Sequence, residues 1–382
     1  MKGIYLDNAA TSWPKPESVY QTADHFNRFM GANPGRGSNA RALEASMTVF
    51  ETREVLAKLF NIGDSDRIAF TFNVTEALNV ALKGSLSPGD HLIITGMEHN
   101  AVARPAFALQ QSGVDLSIAP CSLDGSLDPE TIRSLIKPNT RVVCMLHASN
   151  VIGTIYPIAE VGQITREAGV RLIVDAAQSA GCVPIDVEAM QIDILCFTGH
   201  KALFGLQGTG GLWLRPGIDV RPLKQGGTGS LSESLSQPDF LPDLLEAGTQ
   251  NGPGLAALGA GVRFILKTGV EQIRAREEQL TALLMNGLKE IKSAKIYGPQ
   301  DTGRRTAVVS FNLGDLDCGE VSLALDREFG IANRSGLHCA PLAHRTLGTI
   351  ERGACRLSPG YFTTEPEIKQ ALKALRVIAG RE

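Results

Sequence analysis

Leu172-Ile173-Val174-Asp175-Ala176-Ala177-Gln178 begins as three aliphatic side chains in a row and ends on a carboxylate, two alanines and an amide. A short, uninterrupted apolar run with β-branched members predicts a strand buried on both faces. The same plan recurs at 67–72 before Asn73-Val74-Thr75-Glu76, at 91–94 before Glu98-His99-Asn100, at 142–146 before Ser149-Asn150, and at 192–197 before Thr198-Gly199-His200-Lys201. Helical stretches at 101–111 and 158–168 separate the runs, so the pattern is that of an α/β fold with a mainly parallel sheet. Ligands of such sheets sit beyond the carboxyl ends of the strands. Five polar clusters at five strand ends therefore predict one shared pocket lined by Thr75, His99, Asn150, Asp175, Gln178, His200 and Lys201.

The chain has 382 residues, with 37 basic and 40 acidic side chains and a net charge of −3. That balance supplies no cationic field for nucleic acid or an anionic membrane, and neither partner is expected. A composition of 43% apolar and 20% charged residues excludes a disordered or fibrous chain, and the length predicts more than one domain. Seven cysteines, an odd number without a CxxC pair, argue against a disulfide framework or zinc knuckle and for free thiols. The first residues lack the apolar stretch of a signal peptide and no window approaches a membrane span, so a cytoplasmic location is expected.

Beyond Thr249-Gln250-Asn251-Gly252-Pro253 the pattern changes. Leu280, Leu283, Leu284, Leu288 and Ile291 fall at helical spacing, 307–313 reads as a strand, and Asp317-x-x-Glu320 and Thr364-x-x-Glu367 are capping-box signatures. The expected division is a large α/β domain at 12–250 and a smaller α+β domain built from 1–11 and 251–382.

Asp175 and Lys201 stand 26 residues apart at the ends of neighbouring runs. A buried carboxylate facing a lysine is what pyridoxal phosphate chemistry requires: the amine condenses with the cofactor aldehyde, and the carboxylate keeps the ring nitrogen protonated so that the ring accepts electrons. Alone, the two residues fit a buried ion pair equally well. Thr75, read as the N-cap of a helix that follows a strand, offers with Thr198 and His200 a set of donors for a phosphate. Gly208-Thr209-Gly210-Gly211 and Gly226-Gly227-Thr228-Gly229 do not match GxGxxG after a first strand, so a dinucleotide fold is not supported.

Seven fragments in order carry a resemblance: Asp7-Asn8-Ala9-Ala10-Thr11, Thr75-Glu76-Ala77-x-Asn79, Glu98-His99-Asn100, Ser149-Asn150-x-x-Gly153-Thr154, Asp175-Ala176-Ala177-Gln178-Ser179, Gly199-His200-Lys201 and Glu246-Ala247-Gly248-Thr249. From Leu6 to about Ile378 the chain resembles the class V, fold-type I pyridoxal phosphate-dependent family of cysteine desulfurases and selenocysteine lyases. The resemblance implies pyridoxal 5'-phosphate as cofactor, with His99 on the pyridine ring, Asp175 on its nitrogen, Gln178 and Asn150 near its oxygen, and Lys201 as the covalent attachment point. It implies that Thr75, Thr198 and His200 hold the phosphate, with Thr249 reaching over from the second subunit of a homodimer.

Asn333-Arg334-Ser335-Gly336-Leu337-His338-Cys339 resembles the short loop bearing the catalytic cysteine, and Ala354-Cys355-Arg356-Leu357-Ser358 the segment whose arginine grips the substrate carboxylate. A planar guanidinium fork suits that task. Ala9, Asn150 and Arg36 would join Arg356 around the substrate. Arg334, His338, His344 and Arg345 lie close to Cys339 in sequence, a cationic setting that favours a thiolate where they are also close in space. No metal site is expected. The implied activity is removal of sulfur from L-cysteine, giving L-alanine and a persulfide on Cys339 for an acceptor protein. A selenocysteine lyase acting on L-selenocysteine, and an aminotransferase or epimerase of the same fold, are the alternatives. The chain departs from the family pattern at Gly35, Gln250 and Leu337. Cys144 and Cys196, inside apolar runs, are expected to serve packing.

Overall fold

The computed structural model describes residues 3–35 and 37–380. A two-residue strand β1 (Ile4–Tyr5) and helices α1 (Glu17–His25) and α2 (Ala40–Phe60) lead into the main sheet. Its strands are β2 (Ile68–Thr71), β3 (His91–Thr95), β4 (Asp115–Ala119), β5 (Thr140–Leu146), β6 (Arg171–Asp175), β7 (Ile194–Thr198) and β8 (Gly210–Leu214), in the order β2-β8-β7-β6-β5-β3-β4. Strands β3 to β7 pair in parallel, and β8 runs antiparallel to both β2 and β7. Helices α3 (Val74–Ser85), α4 (Asn100–Gln111), α5 (Pro129–Leu135) and α6 (Ile158–Glu167) connect β2 through to β6. This is the α/β fold with a mainly parallel sheet that the sequence predicts.

Along β5, β6 and β7 alternate side chains enter two different cores. Val143, Met145, Leu172, Val174, Leu195 and Phe197 pack with α2, α6 and α7 (Gly252–Thr268), while Val142, Cys144, Ile173, Ile194 and Cys196 pack with α3 and α4. Because both faces are dry, these strands show no polar alternation in the sequence. β4 and β8 escape the sequence pattern for opposite reasons. β4 is an edge strand with exposed positions at Asp115 and Ile118. β8 opens on Gly210-Gly211, which reads as a loop, yet a Cβ at Gly210 would stand 2.7 Å from the Asn73 backbone.

α7 packs on α1 and α2, and its Leu255, Leu258 and Val262 belong to the core of the main sheet. α8 (Val270–Lys289) starts against that core with Ile273 and runs into a third one, where Leu280, Leu284 and Leu288 meet Phe311, Leu372 and Leu375. Around this third core lie β9 (Ala294–Ile296), β10 (Val309–Leu313), α9 (Cys318–Phe329), β11 (Ile331–Ala332), β12 (Arg334–Gly336), β13 (Ala354–Leu357) and α11 (Glu365–Ala379), whereas α10 (Pro341–Thr346), between β12 and β13, sends Leu342 and Ala343 into the two cores of the main sheet. Four of the strands form a sheet in the order β12-β13-β10-β9, and β11 pairs in parallel with β1. α11 starts with the expected capping box, Glu367 accepting from the Thr364 N–H at 2.7 Å. α9 is capped by Asp317, which accepts from the Gly319 and Glu320 N–H groups.

One buried ion pair ties α2 to the 246–250 segment. Arg53 Nη2 donates to Glu246 at 2.5 Å, and the same carboxylate accepts from the Phe70 N–H at 2.7 Å. Both partners are buried. Gln250, one of the departures from the family pattern, donates its amide to the same carboxylate. Removing one partner of such a pair leaves the other charge without compensation. Glu246→Ala is therefore expected to lower the unfolding free energy by about 3–5 kcal/mol in urea denaturation. A loss under about 1 kcal/mol, the range of exposed pairs, would show that the pair does not anchor this segment.

Candidate active site

β6 ends at Asp175, whose carboxylate is 4% exposed and accepts the Ala177 N–H at 2.9 Å. Burial pushes this carboxyl up, while the Ala177 N–H and the charge of Lys201 pull it down. The neighbouring β7 ends at buried Thr198 and continues into Gly199-His200-Lys201. Glycine is required at 199, because a Cβ there would collide with the Thr209 side chain. A tight turn follows: the Phe204 N–H donates to the Lys201 carbonyl at 2.9 Å, and Phe204 sits in the left-handed region at φ 58°. That conformation costs a bulky residue about 1–3 kcal/mol, and Phe204 is held in it by ring contacts with Phe264 and Phe362 at 5.6 and 5.8 Å. Burial pushes the Lys201 amine down to about 8; Arg356 and Arg334 act in the same direction, and Asp175 and Asp7 oppose.

His99 caps α4. Its Nδ1 accepts the Ala101 N–H at 3.0 Å, which leaves the ring proton on Nε2. Burial, then the charges of Lys201 and the arginines, push the ring down to about 4, so it is neutral at pH 7. Glu98 beside it is fully buried and pushed up to about 8 by burial, so it too is neutral there, with one oxygen accepting from the Thr95 hydroxyl at 2.6 Å. Gln178 donates to the Ala9 carbonyl at 3.0 Å. The expectation for Thr75 needs a correction. Asn73 is the N-cap of α3, its side chain accepting the Glu76 N–H at 3.0 Å while Glu76 accepts the Phe72 N–H at 2.7 Å. The extended backbone of Asn73 aims its carboxamide at the helix start, and Thr75 falls in the first turn with its side chain exposed.

The second half of the site comes from the small sheet, where β12 sets Arg334 directly opposite Arg356 on β13. Arg356 is 1% exposed; its Nη2 donates to Asp7 at 2.6 Å, its Nη1 to the Asn150 carbonyl at 2.9 Å, and its Nε is buried without a partner. Arg334 Nη2 donates to the sulfur of Cys339 at 3.2 Å. His338 and Cys339 are both left-handed, at φ 49° and 57°. Two hydrogen bonds hold that turn: Asn150 Nδ2 to the His338 carbonyl at 2.7 Å, and the Asn100 N–H to the Cys339 carbonyl at 2.8 Å. The exposed Cys339 thus sits on a loop docked against the segments that carry His99 and Asn150.

The four-cation setting expected around Cys339 is also corrected. His338 and His344 are buried and face each other ring nitrogen to ring nitrogen at 3.3 Å, and burial pushes them down to about 2 and about 4. Both are neutral at pH 7, Arg345 is exposed on α10, and Arg334 is the cation in contact with the sulfur. Thr249 is exposed, 3.4 Å from Asn33 Nδ2, and lines a surface hollow with Phe72, Glu76 and Lys224. Within one chain that hollow is separate from the one that reaches Lys201 and Gln178. Arg36 lies outside the described residues. Among the described residues no group of three His, Cys, Asp or Glu side chains could hold a metal ion, and no helix is long and apolar enough to cross a membrane.

A family model described as aminotransferase class-V matches residues 4–371. The chain belongs to the class-V aminotransferase family. It is 34% identical to a probable cysteine desulfurase of Methanothermobacter thermautotrophicus, covering 99% of this chain and 95% of that one, and 33% identical to a cysteine desulfurase of Serratia proteamaculans, covering 98% and 93%. Among solved structures, the apo cysteine desulfurase of Thermococcus onnurineus NA1 superposes with a TM-score of 0.93 at 31% identity, over 100% of this chain and 95% of that one. The cysteine desulfurase CsdA of Escherichia coli gives 0.89 at 28% identity with the same coverage. The sequence reading missed a partner within this family frame. Asp7 was visible only as part of a motif, and its pairing with Arg356 emerges once the segment after β1 bridges to Ser358, just past β13.

The state of Lys201 is directly measurable. In cofactor-free protein, acylation of Lys201 followed by peptide mass spectrometry across pH should show a midpoint near 8, with the amine charged below and reactive above. A midpoint near the ordinary lysine value of about 10.4 would contradict the burial and the arginine fields assigned to it.

Proposed function

We propose that the chain is a pyridoxal 5'-phosphate-dependent cysteine desulfurase. The observation that carries this reading is Cys339, exposed on a loop seated on Asn100 and Asn150, with its sulfur 3.2 Å from Arg334 and Arg334 opposite Arg356. The donor set fits the cofactor. His200 Nδ1 and Asn150 Oδ1 are buried without partners, a state that a bound polar ligand completes. The first turn of α3 offers N–H groups and the Thr75 hydroxyl to a phosphate. When bound, pyridoxal phosphate supplies an electron-accepting ring. Asp175 would hold its nitrogen and His99 its face, Gln178 and Asn150 its ring oxygen, Thr75, Thr198 and His200 its phosphate, and Lys201 its aldehyde carbon.

In this reading Arg356 receives the substrate carboxylate in the place where it now holds Asp7, with Ala9 alongside. Lys201, neutral in part near pH 8, takes the Cα proton and later returns it. Arg334 steadies charge on the Cys339 sulfur, which attacks the sulfur of the substrate. The S–S bond forms as the Cβ–S bond breaks with its electron pair left on carbon, and protonation of that carbon completes L-alanine. Cys339 is left as a persulfide for an acceptor protein. Thr249, exposed and away from Lys201 in its own chain, would complete the site of a second copy in a homodimer. The exposed Phe29, Leu43, Met47, Phe50 and Phe72 support such pairing. The packing of α7 on the main-sheet core favours a domain boundary at the α7–α8 junction rather than at residue 250.

Cys339→Ala should reduce alanine release from cysteine at least about a hundredfold, as loss of a nucleophile does, while the protein keeps its bound, borohydride-reducible chromophore. Full turnover of cysteine in that variant would sink the assignment. Turnover of selenocysteine alone would move it to a selenocysteine lyase.

A further inference from the structure

One backbone atom beside Lys201 collects more hydrogen bonds than its turn needs. The carbonyl oxygen of His200 accepts from Thr11 Oγ1 at 3.0 Å, the Ser12 N–H at 3.1 Å, Lys15 Nζ at 3.2 Å and Ser12 Oγ at 3.3 Å. A carbonyl oxygen has two lone pairs, so four donors more than saturate it. Lys15 also donates to the Ser12 carbonyl at 3.0 Å and to its hydroxyl at 2.9 Å. These acceptors are all neutral oxygens. Burial pushes Lys15 down to about 8, and below that pH it carries its charge in this cage. Desolvating an ammonium against neutral groups is costly, a cost that fastening a surface segment to the fold does not require.

We propose that Lys15, with Thr11 and Ser12, is a positioning residue for Lys201: the strap at 11–15 fixes the plane of the His200–Lys201 peptide and hence the direction in which the Lys201 amine leaves the backbone. The peptide on the other side of Lys201 is fixed by the Phe204 N–H, so both planes flanking the lysine are held. The same segment reaches the rest of the site. Asp7 holds Arg356, the Ala9 carbonyl holds Gln178, and the Ala9 N–H donates to Ser358 Oγ at 3.0 Å. A single stretch at 7–15 thereby sets the cofactor lysine, the ring amide and the carboxylate-binding arginine relative to each other.

This inference rests on Lys201 as the cofactor lysine, and it is tested by the visible circular dichroism of bound pyridoxal phosphate, which reports how firmly the chromophore is oriented. Lys15→Met and Thr11→Val should each lower the ellipticity per bound cofactor about twofold or more, and lower kcat for cysteine about tenfold with KM held within about twofold, as misplacement of a reacting group does. Thr11→Ser, which keeps the hydroxyl, should retain the parental signal. Parental ellipticity per bound cofactor in both Lys15→Met and Thr11→Val would overturn the proposal, whatever happens to their melting temperatures. The ellipticity comparison involves no cysteine, so it decides the positioning role independently of the substrate. A parent protein whose Lys201 takes up no pyridoxal phosphate would overturn both readings.

Discussion

A buried carboxylate, Asp175, and the partly buried amine of Lys201 act on each other through their charges across the carboxyl ends of two adjacent parallel strands. Each is shifted toward its neutral form by burial and pulled back by the other. The remaining charges of the site are arranged around this pair. Arg334 and Arg356 stand opposite each other on β12 and β13, and Asp7 answers Arg356. The acids and imidazoles that would alter this balance are silenced by burial: Glu98 is held protonated, and His99, His200 and His338 are held neutral at pH 7. The outcome is a local excess of cations in a chain whose net charge is −3, a setting that favours anionic groups.

The site is a seam between the main sheet and the four-stranded sheet. The main sheet supplies His99, Asn150, Asp175 and Lys201 from strand ends whose bodies are buried on both faces. The four-stranded sheet supplies Arg356 and Arg334, and the loop after β12 supplies Cys339. Two left-handed residues in succession, His338 and Cys339, make that loop sharp. It keeps its shape because its carbonyls are bonded to Asn150 and Asn100, which belong to the other half. The N-terminal segment crosses the seam a second time, from its pairing with β11 to the carbonyl beside Lys201.

Strands with two dry faces write themselves into a sequence as unbroken apolar runs, and the five that carry the site were legible for that reason. The polar clusters behind them were legible because a charged group has few reasons to end such a run. Thr75 was misread as a cap because two capping residues stand two positions apart, and only the backbone angle of Asn73 decides between them. His338 and His344 were read as cations from their spacing, but ionisation follows burial, which spacing does not contain. Asp7 and Arg356 are 349 residues apart and meet because the segment after β1 bridges to Ser358, just past β13. The clamp on the His200 carbonyl could not be seen at all, since its acceptor belongs to the backbone.

The central claim is that sulfur leaves cysteine by way of Cys339. Its most direct test is to mix the pyridoxal phosphate-loaded protein with L-cysteine, without reductant, then quantify alanine and map the chain by mass spectrometry. The account predicts alanine in step with a persulfide on Cys339. Alanine formed with every cysteine unmodified, or a persulfide confined to another of the seven cysteines, would contradict it.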